Sequence, residues 1–140
     1  MKSDLIFYLA RRTSYCEKAL KKQLEEIGIG LNTITASTSP VMLGEKLITS
    51  LSRCNLVFII GGLGFSGKNG LCDVLSKALA TTKVTPSDIK KLRNDLGKQY
   101  GYVIRCGKQI IVALPDKPEE LSEMFSPALV SLLKNAFNLS

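Results

Sequence analysis

A short apolar run that passes directly into a glycine cluster is the feature that most constrains the fold of this chain. Residues 56–60 (LVFII) are apolar at every position, and Gly61-Gly62-Leu63-Gly64 follows without a spacer. A strand that is apolar on both faces is typical of the centre of a parallel sheet with helices on both sides. The sequence therefore predicts an α/β fold, and such folds bind ligands beyond the carboxyl ends of their parallel strands.

Strand-like and helix-like segments alternate along the rest of the chain. Further strands are predicted over residues 5–10, 29–36, 102–105 and 108–114, the last two joined as a β-hairpin through Cys106-Gly107. Helices are predicted from a capping box at Ser14 to about Ile27, after Ser39-Pro40, from residues 69–71 to about Ala80, over residues 87–100, after Asp116, and beyond a break at Ser126-Pro127. This order predicts three layers around a mixed, mostly parallel sheet with one antiparallel hairpin.

Length and charge limit the classes of function. At 140 residues and 45% apolar content, the chain is expected to form a single domain over residues 1–140. The net charge of +7 favours an anionic partner, which could be a nucleotide, a phosphorylated metabolite or nucleic acid, and the sign alone does not choose among them. The basic residues are dispersed, only 6% of residues are aromatic and no nucleic-acid motif is present, so nucleic acid is not favoured as a partner.

The cysteines and the apolar stretches point to a cytoplasmic protein without a metal centre built on histidine or paired cysteines. No uninterrupted apolar stretch approaches about 20 residues, so no membrane span is expected. Cys16, Cys54, Cys72 and Cys106 are far apart and the chain has no histidine, which gives no support to a zinc site. Each cysteine lies in or beside an apolar segment, where burial as a small hydrophobic residue is expected.

Three loops are expected to meet at the carboxyl edge of the sheet and to form an anion site. The first contains Arg11, Arg12, Thr13 and Ser14; the second contains Gly61, Gly62, Leu63, Gly64, Ser66 and Lys68; the third contains Pro115 and Lys117. Glycines let backbone N–H groups approach an anion, and a helix N-terminus adds partial positive charge. The structural alternative is that the glycines only make a tight turn, that the first loop is a solvated turn with a cap, and that Lys117 is a surface lysine.

The second loop also resembles a nucleotide-binding P-loop up to its last position. Residues 62–69 (GLGFSGKN) place Asn69 where a serine or threonine would bring a hydroxyl to Mg²⁺. No strand ending in aspartate supplies a second metal contact, so a working P-loop is not favoured.

Two segments read together resemble the molybdopterin-binding domain family, and most closely the amino-terminal domain of CinA-like proteins. Residues 55–64 (NLVFIIGGLG) resemble the strand and GGLG segment of CinA-like proteins and the GGTG segment of MoaB and MogA. Residues 107–125 (GKQIIVALPDKPEELSEMF) are similar to the family run G-K-x-I-x-x-L-P-G-x-P-x-E-M-x-x-M-F. The resemblance covers roughly residues 5–135, and outside these two segments it is a matter of architecture.

The resemblance implies a fold, a range of activities and a site. Family members bind or adenylylate molybdopterin, transfer metal to it or, in CinA-like proteins, hydrolyse nucleotide pyrophosphates such as ADP-ribose with a divalent metal. The resemblance implies that Gly61, Gly62, Leu63 and Gly64 form the ligand-binding loop. It aligns Ser66 with a threonine of the relatives and implies that Pro115 and Pro118 shape the last loop.

The departures from the family weaken the case for catalysis. Residues 10–14 (ARRTS) replace the family segment G-x-E-L-L-x-G, and Lys68 and Asn69 occupy the span where relatives carry paired acids. The first acid is Asp73, a candidate catalytic and metal residue or an ordinary first-turn acid, and Asp116 replaces the glycine of L-P-G as a candidate helix cap and ligand contact.

Three functions stay open. The first is binding of a phosphorylated pterin or nucleotide without efficient turnover. The second is a pyrophosphatase or nucleotidyl transferase with Asp73 and Asp116 holding Mg²⁺. The third is a non-catalytic assembly module with a vestigial pocket. Self-association as a dimer or trimer is expected from the apolar C-terminal residues Leu129, Val130, Leu132, Leu133 and Phe137. Replacing Gly62 by valine is expected to impair binding and leave the fold intact.

Overall fold

The computed structural model describes residues 1–64, 70–82 and 86–139, without the side chains of Cys72, Thr81 and Thr82. The strands in this part of the chain are β1 (Lys2–Tyr8), β2 (Gly30–Ser37), β3 (Leu56–Ile60), β4 (Asp88–Leu92), β5 (Gly101–Cys106) and β6 (Gln109–Leu114). The helices are α1 (Thr13–Glu26), α2 (Pro40–Leu51), α3 (Leu71–Thr82), α4 (Pro118–Met124) and α5 (Pro127–Ala136).

The strands form one mixed sheet in the order β2-β1-β3-β6-β5-β4. The pairs β1/β2, β1/β3 and β3/β6 are parallel, whereas β5/β6 and β4/β5 are antiparallel. The expected hairpin is therefore confirmed, and Gly107 lies in its turn with a φ of 63°. Because β1, β3 and β6 are parallel neighbours, the loops that follow them leave the same edge of the sheet.

Two hydrophobic cores lie on the two faces of the sheet and confirm the three-layer prediction. On one face, Phe58 and Ile60 pack with apolar residues of α1, α4 and α5. On the other face, Val57 and Ile59 pack with apolar residues of α2 and α3. All five residues of β3 are buried, which explains why that strand has no polar position. The cysteines whose side chains are described, Cys16, Cys54 and Cys106, are buried as expected.

Serine caps start two of the helices where the sequence predicts them. The Ser39 Oγ accepts a hydrogen bond from the Met42 N–H at 3.2 Å, and the Ser126 Oγ accepts one from the Leu129 N–H at 3.3 Å. In both helices proline occupies the first turn, where its missing N–H costs nothing.

The predicted capping box at Ser14 is wrong. Helix α1 begins at Thr13, and its N-cap is Arg12, two residues before Ser14; Arg12 has left-handed backbone angles and makes no side-chain cap hydrogen bond. The preceding Arg11 N–H is bonded to a carboxylate of another loop, so tertiary contacts fix where this helix starts.

The helix predicted over residues 87–100 is also wrong. Residues 88–92 of this segment form edge strand β4, which pairs antiparallel with β5 from Asp88 opposite Arg105 to Leu92 opposite Gly101, and residues 93–100 connect the two strands. Both the N–H and the hydroxyl of Ser87 donate to the Arg105 carbonyl, so the residue expected to lie in the first turn of a helix belongs to the sheet instead. Pairing with a buried neighbouring strand outweighs the local helix-start pattern.

Within the described part of the chain, no helix is both long enough and apolar enough to cross a membrane.

Candidate functional site

The loops after β1, β3 and β6 meet at the carboxyl edge of the sheet, as the sequence predicts. The second predicted loop, called the glycine loop below, is described from Gly61 to Gly64. The Gly61 N–H donates to the Leu114 carbonyl at 3.0 Å, which ties the start of this loop to the end of β6. The Arg11 N–H donates to Asp116 Oδ2 at 2.8 Å, which ties the first loop to the third. These two bonds join the three loops into one surface.

Gly61 and Gly62 are required by the packing of this edge. Their φ angles are 104° and 76°, in the left-handed region that favours glycine. A Cβ on Gly61 would collide with the Tyr8 carbonyl oxygen, and a Cβ on Gly62 would collide with the buried Tyr8 ring. The expectation that the fold accepts valine at position 62 is therefore revised, because these glycines serve the contact with β1 whether or not a ligand is bound.

The remaining glycine-loop amides are the ones that can serve a ligand. The Gly61 N–H is used within the sheet, but the N–H groups of Gly62, Leu63 and Gly64 have no acceptor among the described residues. Gly64 is exposed, and Leu63 is half-buried against the core beside α3. Ser66 and Lys68, also predicted for this loop, lie outside the described residues.

The first loop presents an open helix N-terminus with two cations beside it. Leu9 and Arg12 have φ angles of 47° and 52°, so the chain turns sharply before α1. Arg11, Arg12, Thr13 and Ser14 are exposed, and the first turn of α1 contains no acidic residue. The first-turn N–H groups of a helix lack intrahelical partners and carry partial positive charge, which an anion stabilises.

Asp116 positions the first loop, and it does not cap α4. The N-cap of α4 is Lys117, so the predicted cap at Asp116 is wrong. The carboxylate is half-buried and accepts the Arg11 N–H instead. Its neighbour Pro115 is buried, and the exposed Lys117 has its Nζ 3.5 Å from Glu120 Oε2.

The cysteine next to this surface is kept protonated. Burial, followed by the negative charges of Asp116 and Glu119, raises the pKa of the Cys16 thiol to about 11 against the opposing charge of Arg12. A thiol with such a pKa is a poor nucleophile at neutral pH, so Cys16 is an unreactive structural residue of the core.

No hydrogen bond or ion pair among the described residues joins Asp73 to the other predicted site residues. Asp73 is exposed in the first turn of α3, where a carboxylate is favoured by the helix dipole. Residues 1–64, 70–82 and 86–139 contain no group of three or more histidine, cysteine, aspartate or glutamate side chains placed to hold a metal ion.

Sequence reasoning missed the loop between β4 and β5, residues 93–100, which lies beside the glycine loop. A Cβ on Gly64 would lie 2.8 Å from Gln99 Nε2, so the two loops are in close contact. Asn94 in the same loop donates to the buried carboxylate of Glu120 at 2.6 Å. The turn-forming residues Asn94, Asp95 and Gly97 are the sequence signal for this loop, and the predicted helix obscured it.

Comparison with known protein families identifies the family of the chain. The profile of a family described as a probable molybdopterin binding domain matches residues 7–135. The chain belongs to this family. The match includes Phe7 and Tyr8 at the end of β1, the glycine loop, the β4–β5 loop and the Pro115–Pro118 turn.

One curated relative is similar to most of this chain. A protein from Acetivibrio thermocellus that is named as competence-damage inducible is 26% identical over 145 residues, covering 81% of this chain and 35% of that protein. The chain therefore spans about a third of that relative's length.

Solved structures with low sequence identity superpose along nearly the whole chain. CinA from Thermoplasma acidophilum, described as of unknown function, has a TM-score of 0.73 at 14% identity, covering 96% of this chain and 97% of that one. The Mog protein of molybdopterin biosynthesis from Mycobacterium ulcerans has a TM-score of 0.69 at 19% identity, with 98% and 97% covered. The molybdopterin biosynthesis enzyme MoaB from Thermus thermophilus has a TM-score of 0.67 at 16% identity, with 96% of each chain covered. At these identities the likeness shows the shared α/β fold.

Proposed function

We propose that this domain binds a phosphorylated small molecule, a pterin or a nucleotide, at the surface formed by the three loops, with weak or no turnover. The observation that carries the proposal is the open N-terminus of α1 beside Arg11 and Arg12, held by the Arg11–Asp116 bond next to the glycine loop. Backbone N–H groups, a helix dipole and two guanidinium groups all favour negative charge.

The residues present fit the phosphate end of such a ligand. The N–H groups of Gly62, Leu63 and Gly64, the first turn of α1 and the two arginines would hold the phosphate of molybdopterin or of a nucleotide. All of these groups are donors without acceptor atoms, which is what a fully ionised phosphate requires.

Turnover is the weaker proposal. A metal-dependent pyrophosphatase or nucleotidyl transferase would need carboxylates to hold Mg²⁺ near the phosphate. Of the two candidates, Asp116 lies at the carboxyl edge of the sheet, but one of its oxygens accepts the Arg11 N–H. Asp73 forms no hydrogen bond or ion pair with Asp116 among the described residues.

Self-association as a dimer or trimer is part of the same proposal. A cytoplasmic location and a single domain over residues 1–140 stay predictions from the sequence.

Calorimetric titration with ADP, ADP-ribose and inorganic pyrophosphate tests the binding proposal. We expect the parent protein to bind ADP and pyrophosphate, and Arg11→Ala to weaken both by about threefold to tenfold, the worth of a charge-assisted hydrogen bond at an exposed site. The Arg11 side chain is exposed, and its structural bond uses the backbone N–H, which alanine retains.

Lys22→Ala is the matched control. It removes one positive charge from the exposed surface of the same helix, away from the helix N-terminus, and is expected to leave affinity within twofold. Absence of binding to all three compounds by the parent protein would replace this proposal by the assembly-module function. Metal-dependent release of AMP from ADP-ribose, lost in Asp116→Asn, would instead establish turnover.

A further inference from the structure

The β4–β5 loop is fastened to α4 through a buried carboxylate. Glu120 is only 7% exposed, and its Oε1 accepts a hydrogen bond from Asn94 Nδ2 at 2.6 Å. A carboxylate is rarely buried without partners, because desolvation disfavours the charged form. Its two oxygens have different partners: Asn94 of the loop binds Oε1, and Lys117 Nζ lies 3.5 Å from Oε2.

Asn94 also closes the loop on itself. Its Nδ2 donates to the Gln99 carbonyl at 3.0 Å, and its Oδ1 accepts the Leu96 N–H at 3.1 Å. Gly97 is the point of closest approach, since a Cβ there would collide with the Glu120 carboxylate. The Asn94 side chain thus holds the turn from Asn94 to Gln99, and Glu120 anchors that side chain.

This anchoring brings the Gln99 side chain to the glycine loop. Its carboxamide is close enough that a Cβ on Gly64 would lie 2.8 Å from Nε2. No described residue forms a hydrogen bond with the carboxamide, and the side chain is only half-buried. A carboxamide carries both a donor and an acceptor, unlike the N–H and guanidinium groups at the phosphate end of the site.

We infer that Gln99 is a specificity-determining residue that contacts the uncharged organic part of the ligand, and that Glu120 and Asn94 are the positioning residues that hold it there. The inference rests on the proposed function, because the contact requires a ligand on the glycine loop. The class of ligand it selects is a phosphate or diphosphate joined to a sugar or heterocycle with both donor and acceptor atoms, in preference to the bare anion.

Discrimination between ADP and inorganic pyrophosphate tests the role of Gln99. Gln99→Ala is expected to weaken ADP binding by about threefold to tenfold, the range for one or two neutral hydrogen bonds, and to leave pyrophosphate binding unchanged. Equal weakening of both compounds, or of neither, would overturn the specificity role while leaving the proposed function standing.

Glu120→Ala tests the positioning role, with Glu119→Ala as its matched control one residue away on the same helix. Glu119 is exposed, whereas Glu120 holds Asn94. We expect Glu120→Ala to reproduce the ADP-selective loss of Gln99→Ala. The double variant, Gln99→Ala with Glu120→Ala, should bind ADP no more weakly than either single variant. Glu120→Gln should restore part of the affinity for ADP, because its amide oxygen still accepts the hydrogen bond from Asn94.

Hydrogen exchange gives a readout that does not depend on a ligand. Backbone amides of residues 93–100 are expected to exchange faster in Glu120→Ala than in the parent or in Glu119→Ala. Unchanged exchange would show that Glu120 does not hold the loop. If the parent binds neither compound, the proposed function and the contact of Gln99 fail together, and the exchange comparison still decides the anchoring.

Discussion

At the scale of single residues, the start of β1 contains a charged side chain that the sequence does not mark. Asp4 is 1% exposed, and its Oδ2 lies 3.0 Å from both Nε and Nη2 of Arg53. Burial alone would raise the pKa of Asp4, but hydrogen bonds from Ser50, Arg53 and Cys54 and the charge of Arg53 outweigh it and hold that pKa below its usual 3.8. The same carboxylate accepts the Thr33 N–H at 3.2 Å and so also holds edge strand β2.

Arg53→Met tests this buried carboxylate. We expect the free energy of unfolding at pH 7 to fall by about 1–2 kcal/mol, less than for a fully buried pair because the Arg53 side chain is 42% exposed. A lowered pKa means that the stabilisation is complete above the unfolded-state pKa and disappears as the pH falls through the folded-state value. Urea unfolding should therefore show parent and variant converging as the pH is lowered below 3.8. Lys21→Met, which breaks the exposed pair with Glu17, is the control and should cost no more than about 0.5 kcal/mol.

At the scale of elements, patterns confined to one helix or strand could be predicted and those set by distant residues could not. The run at residues 56–60 and the Ser39-Pro40 start depend on neighbours in sequence, and both are confirmed. The start of α1 depends on Asp116, which is distant in sequence, and strand β4 depends on pairing with β5 beyond the loop that joins them. The same holds for the candidate site. The three loops could be predicted from local patterns, but Gln99 could not, because its position depends on Glu120, 21 residues further along the chain.

The cap of α5 gives a prediction at this scale. Ser126 separates α4 from α5, and its hydroxyl accepts the Leu129 N–H at the start of a helix whose Leu129 and Leu133 are buried in the core. Ser126→Ala should lower the free energy of unfolding by about 1 kcal/mol, because one orphan N–H loses its partner. Ser131→Ala, the same substitution at an exposed position within α5, should change it by less than about 0.5 kcal/mol. Equal effects of the two substitutions in urea unfolding would show that the cap contributes no stability.

At the scale of the whole molecule, the structure changes the basis on which self-association is expected. Leu129 and Leu133 are fully used by the core, and Val130, Leu132 and Phe137 are partly buried against it. Most of the apolar surface of these C-terminal residues is therefore buried within one chain. An exposed apolar groove of about 330 Å³ lies instead between α2 and α3, where Val41 is 71% exposed and Ile48, Val74 and Ala78 form the floor.

Val41→Asp tests whether this groove between α2 and α3 joins copies of the chain. Light scattering of the parent at high concentration should give a mass of at least twice the 15.3 kDa of one chain, because burial of this apolar surface on a second copy removes it from water. A charge at position 41 would have to be desolvated in such an interface, so the variant should be shifted toward monomer. Tyr15→Asp is the control: Tyr15 is 67% exposed on α1, on the opposite face of the sheet, and its replacement should leave the mass unchanged. A parent protein that scatters as a monomer at every concentration would contradict self-association itself, whereas an unchanged oligomer in Val41→Asp would place the interface on another surface.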